Sequence, residues 1–497
     1  MAFVLSIDAG TTGVRTFAVD ETGTPRFSAY REFPQYFPQP GWVEHDADEI
    51  WSATQETLAE VVDHITQDGS TIAAIGITNQ RETTVAWSKK SGRPLHRAIV
   101  WQDRRTAQRC DELRSEGFEP TVRKLTGLVL DPYFSGTKME WLLTRAGVER
   151  NEDLAFGTID SWLVWCLTGG RVHATDSSNA SRTMLYDIGK LAWSEELCSK
   201  FGVPIASLPT VMPSSGRFGI TDPESCVGLT VPVSGIAGDQ QAALFGHACF
   251  EKGMAKNTYG TGSFVLVNLG TTLPEPSVGL LTTIAWTIGS ETTYAMEGAI
   301  FVTGAAVQWL RDGLGIIKKA SEVGPLAQSV PDTGGVFLVP AFTGLGSPHW
   351  DPYARGTIVG ITRGTTRAHI ARAVEEAMAF QTCDVMDAIN KASGTAIAEL
   401  RVDGGASAMD ILCQLQADLL GITVRRPAVK DTTALGAAYL AGIAVGVWAT
   451  PAEAAASWTE EAEFTPSMAS EEISMRRATW SRAVERSLDW DRSPITD

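Results

Sequence analysis

Asp8 ends an apolar run, Phe3 to Ile7, and opens the turn Ala9-Gly10-Thr11-Thr12-Gly13, followed by Val14 and Arg15. Two glycines let backbone N–H groups crowd toward a ligand. Thr11 and Thr12 add hydroxyl donors, and a turn of this kind can hold phosphate oxygens in a concave nest of amides. At the strand end, Asp8 is placed to hold the water shell of a metal ion. The segment fits an ordinary glycine-rich hairpin turn equally well. A second acid, Asp239, follows the apolar strand Val233–Ala237 and Gly238 and opens a helix from Gln240 to Phe245. There the helix macrodipole favours the ionised form, and a carboxylate can take a proton from a hydroxyl as general base. Standing alone, Asp239 reads more simply as a helix cap.

Arg81 and Glu82 lie just after the buried strand Ile72–Thr78, at the carboxyl end where open α/β sheets hold their ligands. By themselves they are also a common surface ion pair. Trp101 and Tyr133 can wall a small pocket with the phenol as a polar handle, or simply fill a core. A second Gly/Thr turn occurs at Tyr259-Gly260-Thr261-Gly262-Ser263. Gly304 and Gln308 lie four apart at a helix start and share a face, and Gly405 and Met409 repeat that spacing. Two such helix ends can sandwich a flat base, although either pair alone reads as packing glycines.

Other chemistries lack their residues. No GxxxxGK[ST], no helix-opening GxGxxG, no HExxH and no GxSxG is present, and no Cys/His pair has zinc spacing. His247 and His349 are expected to satisfy core hydrogen bonds rather than act as bases. What remains is a phosphate-handling set without an obvious covalent nucleophile. That suits phosphoryl transfer, where catalysis is mostly positioning and charge stabilisation.

The elements that must position these residues follow from periodicity. Strands are expected at Phe3–Ile7, Thr16–Val19 and Phe27–Phe33, then a helix capped by Asp46 or Asp48 that buries Ile50, Leu58, Val61, Val62 and Ile65. Further strands are Thr84–Trp87 and Ala98–Trp101, and Arg109 to Asn179 reads as mainly helical. The second half repeats the theme. A hairpin spans Gly253–Leu269, strands follow at Thr282–Thr287, Thr293–Glu297 and Val336–Pro340, and a helix starts near Thr303. A long helix runs from His369 to about Ser393, and a strand, Leu400–Asp403, leads through Gly404-Gly405 into a helix ending near Leu420. Ala434–Val445 is a last buried helix, and the final ~40 residues read as a peripheral helix with a frayed end.

At 497 residues the chain exceeds the ~250–300 at which single cores stop growing, so two similar α/β domains, residues 1–250 and 251–497, are expected to face a central cleft. A formal charge of −17 argues against nucleic acid or an anionic membrane as partner. Seven dispersed cysteines without CxxC fit reduced thiols in the cytoplasm. Neither a signal peptide nor a membrane-spanning run of ~18 residues is expected.

The chain resembles the FGGY family of carbohydrate kinases, within the actin-like ATPase superfamily. The matching motifs are Asp8 to Gly13, Asn79-Gln80-Arg81-Glu82-Thr83-Thr84, Ala98 to Thr106, Asp131 to Lys138, Gly235 to Gly246, Asn257 to Gly262, Gly304 to Trp309 and Val402-Asp403-Gly404-Gly405. They are particular to the glycerol kinases within the family. The resemblance implies two RNase H-like domains and MgATP-dependent phosphorylation of glycerol to sn-glycerol 3-phosphate. By the same resemblance, Arg81, Glu82, Tyr133, Asp239 and Gln240 hydrogen-bond glycerol, Trp101 packs on its carbon edge, and Asp239 is the general base. Thr11, Thr12, Gly13, Arg15 and Thr261 face the nucleotide's phosphates; Gly304, Gln308, Gly405 and Met409 face the adenosine. Asp8 and Asp239 hold Mg2+ through water.

Three departures stand out. Position 409 is often Asn in the family, and Met409 cannot make that hydrogen bond, although its thioether can lie against a ring. The loop between Pro213 and Val231 lacks the Gly/Arg-rich segment that binds fructose 1,6-bisphosphate in some relatives, and no histidine lies between His173 and His247 to serve as a phosphohistidine. Neither control is expected. A homo-oligomer, dimer or tetramer, is expected. Two other readings stay open: a sibling kinase for another polyol or a ketose, and a nucleotide-driven switch that hydrolyses ATP without a small acceptor.

Overall fold

The computed structural model describes residues 1–492. Strands β1 (Ala2–Ala9), β2 (Gly13–Val19) and β3 (Pro25–Glu32) form an antiparallel meander, and β4 (Thr71–Asn79) returns parallel to β1. Next, β5 (Ser215–Ile220) runs antiparallel to β6 (Pro232–Gly238), which lies parallel to β4. The second half uses the same plan. Here β7 (Met254–Tyr259), β8 (Ser263–Gly270), β9 (Leu281–Ile288) and β10 (Glu291–Ile300) form the meander, and β11 (Glu399–Gly404) and β12 (Thr423–Pro427) add parallel strands beside β7. Across the sheet the order β3-β2-β1-β4-β6 is repeated as β10-β8-β7-β11-β12. With β13 (Glu460–Phe464) at the far edge, thirteen strands make one continuous sheet, in which β5 touches β9 through Ser215 and Ile288.

The helices repeat as well. α1 (Ala47–Gln67) connects β3 to β4; its cap is Asp46, whose carboxylate accepts from the Asp48 N–H, and Ile50, Leu58, Val61 and Ile65 are buried. α2 (Asp239–Gly246) follows β6, and α3 (Gly304–Gln308) follows β10. α4 (Arg367–Ser393) occupies in the second half the place of α1 and ends at the left-handed Gly394. α5 (Asp410–Leu420) links β11 to β12, and α6 (Thr432–Val445) follows β12 as α2 follows β6.

α6 is apolar all round because it packs back onto the first half. A Cβ on Gly76 of β4 would lie 2.3 Å from the Ala437 carbonyl oxygen, and one on Gly235 of β6 2.3 Å from the Ala441 nitrogen. α2 and α6 meet backbone to backbone: a Cβ on Gly246 would lie 1.9 Å from the Thr432 carbonyl oxygen, and one on Gly436 1.9 Å from that of Ala242. Only glycine permits such an approach.

The strands and helices expected around the motifs are present. The stretch 109–179 also contains the strands Leu154–Gly157 and Ala174–Asp176. The end of the chain departs further from expectation. Glu460–Phe464 is an edge strand, paired to β12 and laced by Arg425 to Glu460 and Glu463 and by Arg426 to Glu461. α7 (Ser470–Glu485) is anchored by Trp480, which stacks on Phe380 with ring centroids 5.2 Å apart and donates to Asp384 at 2.7 Å. The last five residues of the expected frayed end, 493–497, lie outside the described residues. Among the described residues no helix is long and apolar enough to cross a membrane.

Candidate active site

The two Gly/Thr turns are built alike. Gly10 N–H donates to the Gly13 carbonyl at 3.0 Å, and Gly260 N–H to that of Gly262 at 2.8 Å. In each, the second glycine is pressed on a neighbouring strand: a Cβ on Gly13 would lie 2.5 Å from the Arg31 carbonyl oxygen, and one on Gly262 2.4 Å from that of Ile300. The helix start at Gly304 is tied to the second turn. Gly304 N–H donates to the Gly260 carbonyl, and Thr303 and Ala305 N–H to that of Thr261, each at 3.0 Å. Gln308 is exposed one turn further along. Gly404, at φ 84°, abuts the backbone of Tyr259, and beyond it Gly405 is exposed, with no atom within 4 Å of a Cβ placed there. Met409 N–H closes the turn after β11 onto the Ala406 carbonyl at 3.0 Å, and its side chain is half-buried. Both expected base-facing pairs therefore hang from the β7–β8 hairpin.

Trp101 joins the two turns. Its Nε1 donates to Thr11 Oγ1 at 3.0 Å, while its ring sits 6.3 Å from Phe264, one residue beyond the second turn, and 5.7 Å from Tyr133. Thr12 is exposed in the first turn. Arg15, on β2, reaches Asp431 at the start of α6 at 3.0 Å. Crowding by protein atoms, with the Asp239 carboxylate nearby, pushes Asp8 up to about 7 against the pull of Arg15. Asp431 adds to that push. Two further carboxylates thus press on Asp8, which fits a divalent cation that would relieve it. Among the described residues no three acidic, histidine or cysteine side chains converge as direct ligands. An ion held through water and phosphate oxygens needs no such shell.

The acceptor side is a buried ion network. Arg81 Nε lies 3.1 Å from Asp239 Oδ1, its Nη2 donates to the Tyr133 hydroxyl at 3.1 Å, and its Nη1 pairs with Glu297 at 2.5 Å. Arg182, fully buried, donates to Glu82 at 2.7 Å and Glu297 at 2.9 Å. Glu82 holds a left-handed backbone, φ 61°. Burial raises Glu297, but Arg182 and Arg81 outweigh it and hold the carboxyl down at about 2. For Glu82, burial outweighs the same two cations and the shift is upward. Tyr133 is pushed well up by burial. Lys138, pulled down by burial to about 7, donates to the Tyr133 carbonyl at 2.6 Å and lies 3.4 Å from that of Glu82.

Arg81, Glu82, Trp101, Tyr133, Asp239 and Gln240 thus gather in one place, beside Thr11. Sequence reasoning missed Arg182, Glu297, Lys138 and Lys256. Lys256 is the lone charge of β7, which was the available signal there, whereas Arg182 lies in a turn and Lys138 and Glu297 share their elements with Glu140 and Glu291. His247 sits in the core with Nε2 3.1 Å from Asp403 Oδ2. His349, expected in the core, is exposed instead, because it follows Pro348 on a surface loop.

Comparison with known proteins bears on the family and the fold. Residues 3–246 match the N-terminal domain, and residues 255–445 the C-terminal domain, of the FGGY family of carbohydrate kinases. A glycerol kinase of Trichlorobacter lovleyi is 56% identical over 99% of this chain and 99% of its own. Glycerol kinase 2 of Thermotoga maritima is 54% identical over 99% of this chain and 100% of its own. The crystal structure of Plasmodium falciparum glycerol kinase with ADP superposes with a TM-score of 0.92 at 34% identity, covering 98% of each chain.

Proposed function

The chain belongs to the FGGY family of carbohydrate kinases, two RNase H-like domains of the actin-like ATPase kind facing a central cleft, and from that premise we propose that it phosphorylates glycerol with ATP to give sn-glycerol 3-phosphate. The observation that carries the reading is the acceptor cluster. Arg81 is fixed by Glu297 so that one guanidinium serves both the Tyr133 hydroxyl and Asp239, next to the wall of Trp101.

In this reading Arg81, Glu82, Tyr133, Asp239 and Gln240 pair with the three hydroxyls of glycerol, and Trp101 covers its carbon edge. A pocket that pairs every hydroxyl leaves buried polar groups unmatched by a poorer substrate, which can discriminate by ~10⁴-fold. Thr11, Thr12, Gly13, Arg15 and Thr261 take the triphosphate, and Gly304, Gln308, Gly405 and Met409 the adenosine. The hydroxyl oxygen attacks the γ-phosphorus in line as the bond from that phosphorus to the β–γ bridging oxygen breaks. ADP leaves, and the hydroxyl proton passes to Asp239. Mg2+, held through water by Asp8 and Asp239, would supply charge neutralisation on the phosphates. Closure of the cleft excludes water as a competing acceptor.

The reading extends to a division into residues 1–250 and 251–497, a dimer or tetramer in the cytoplasm, and no control by fructose 1,6-bisphosphate or a phosphohistidine. Inhibition by millimolar fructose 1,6-bisphosphate would refute the last point. The main test is coupled ADP release across glycerol, dihydroxyacetone, erythritol and xylulose. Glycerol should give by far the highest kcat/KM. Preference for another acceptor, or an equal rate with none, would contradict the proposal.

A further inference from the structure

Lys256 on β7 comes from the second half, is fully buried, and donates to the side-chain oxygen of Gln240 and, at 3.0 Å, to Thr258 Oγ1. An ammonium has donors only, so the Gln240 amide must turn its oxygen toward it. The amide's Nε2 is thereby aimed away from Lys256, and among the described residues it finds no acceptor, although Gln240 is only 8% exposed. Next to it, Asp239 Oδ1 is taken by Arg81 Nε at 3.1 Å and by the Gln240 backbone N–H at 2.7 Å, while its Oδ2 has no donor among the described residues. A free donor and a free acceptor therefore stand side by side at the start of α2. The adjacent Gln241 is oriented the same way, its oxygen toward Arg81 at 3.4 Å and its Nε2 toward Thr283 at 3.2 Å.

We infer that Lys256 is a positioning residue that fixes the direction of hydrogen bonding in the acceptor pocket. By holding the Gln240 oxygen it forces the amide to donate to a substrate hydroxyl, which leaves that hydroxyl's own proton to point at Asp239. This inference rests on the kinase reading above and adds the orienting role of Lys256 to it. Without Lys256 the amide can flip, offer its oxygen, and compete with Asp239 for the proton that must be removed.

The test is a double-mutant cycle between Lys256→Met and Gln240→Ala, read as kcat/KM for glycerol with thermal melts alongside. Lys256→Met should cost about tenfold when Gln240 is present and less than about twofold when Gln240 is already Ala. A lysine with a merely structural role would impose the same penalty in both backgrounds, and that result would overturn the inference. Should Lys256→Met fail to fold, Lys256→Gln, whose amide imposes no direction, replaces it under the same criterion. Absence of glycerol-dependent ADP release in the unaltered protein would overturn both readings, whereas equal penalties in an active enzyme would strike this one alone.

Discussion

Trp101 and Thr11 are hydrogen-bonded, indole Nε1 to hydroxyl oxygen at 3.0 Å, so the wall of the acceptor pocket is fastened to the first phosphate turn. Any displacement of that turn moves the wall with it. The two subsites of the proposed transfer are thus coupled by a neutral side-chain bond, and Gln80, next to Arg81, adds another by donating to the Gly10 carbonyl at 3.0 Å.

Trp101→Phe keeps a ring against Tyr133 and Phe264 but loses the donor. A neutral hydrogen bond contributes about 0.5–1.5 kcal/mol, so kcat/KM should fall several-fold. Because the bond spans both subsites, the KM values for glycerol and nucleotide should rise together. A change confined to glycerol would show that the turn does not depend on Trp101.

Glu297 balances two buried arginines. Glu297→Gln removes the carboxylate both share, leaving Arg182 only Glu82 and Arg81 chiefly Asp239, and should destabilise the protein by about 3–5 kcal/mol, with glycerol binding weakened through Arg81. The wild-type carboxyl sits at about 2, below its ordinary 4.5, so its stabilisation is complete above pH 4.5 and is lost as pH falls toward 2. Calorimetric melts of both proteins should therefore converge below pH 4.5. Parallel curves down to pH 3 would contradict this.

Glu375 on α4 has both carboxyl oxygens buried without a hydrogen-bond partner among the described residues, since Arg372 is engaged by Glu376 at 2.8 Å. Burial pushes it up to about 8. An acid raised above its unfolded value supports the fold fully below pH 4.5, and that support is lost as pH rises through about 8. Glu375→Leu should raise stability at pH 9 by about 1–3 kcal/mol and flatten the decline between pH 6 and 9. Thermal melts at those two values check it.

Gly436 and Gly246 form the contact between α2 and α6. Gly436→Ala would put a methyl 1.9 Å from the Ala242 carbonyl oxygen. A loss of at least about 1–3 kcal/mol is expected from overpacking, seen as a lowered Tm. An unchanged Tm would mean that the helices separate freely.

The local features were legible in the sequence. A strand, a Gly/Thr turn and a second strand are consecutive, so both hairpins could be read directly, as could Asp239 at a strand-to-helix junction and the uniformly apolar α6. The charges that orient the site were not. Arg81 and Glu297 are 216 positions apart, and nothing near either residue announces the other. The edge strand Glu460–Phe464 was hidden because its exposed positions carry glutamates, whose partners Arg425 and Arg426 lie on β12. His349 was misplaced because a histidine beside Pro and Trp gives no local sign of whether its loop is covered.

The central claim is that Asp239 removes the proton from a hydroxyl held beside the nucleotide. Asp239→Asn keeps the shape but cannot take that proton. Measured in one protein preparation, glycerol 3-phosphate formation should fall by about 10²–10⁴-fold, while ATP affinity by calorimetry stays within about twofold. Near-normal turnover in Asp239→Asn would contradict the account.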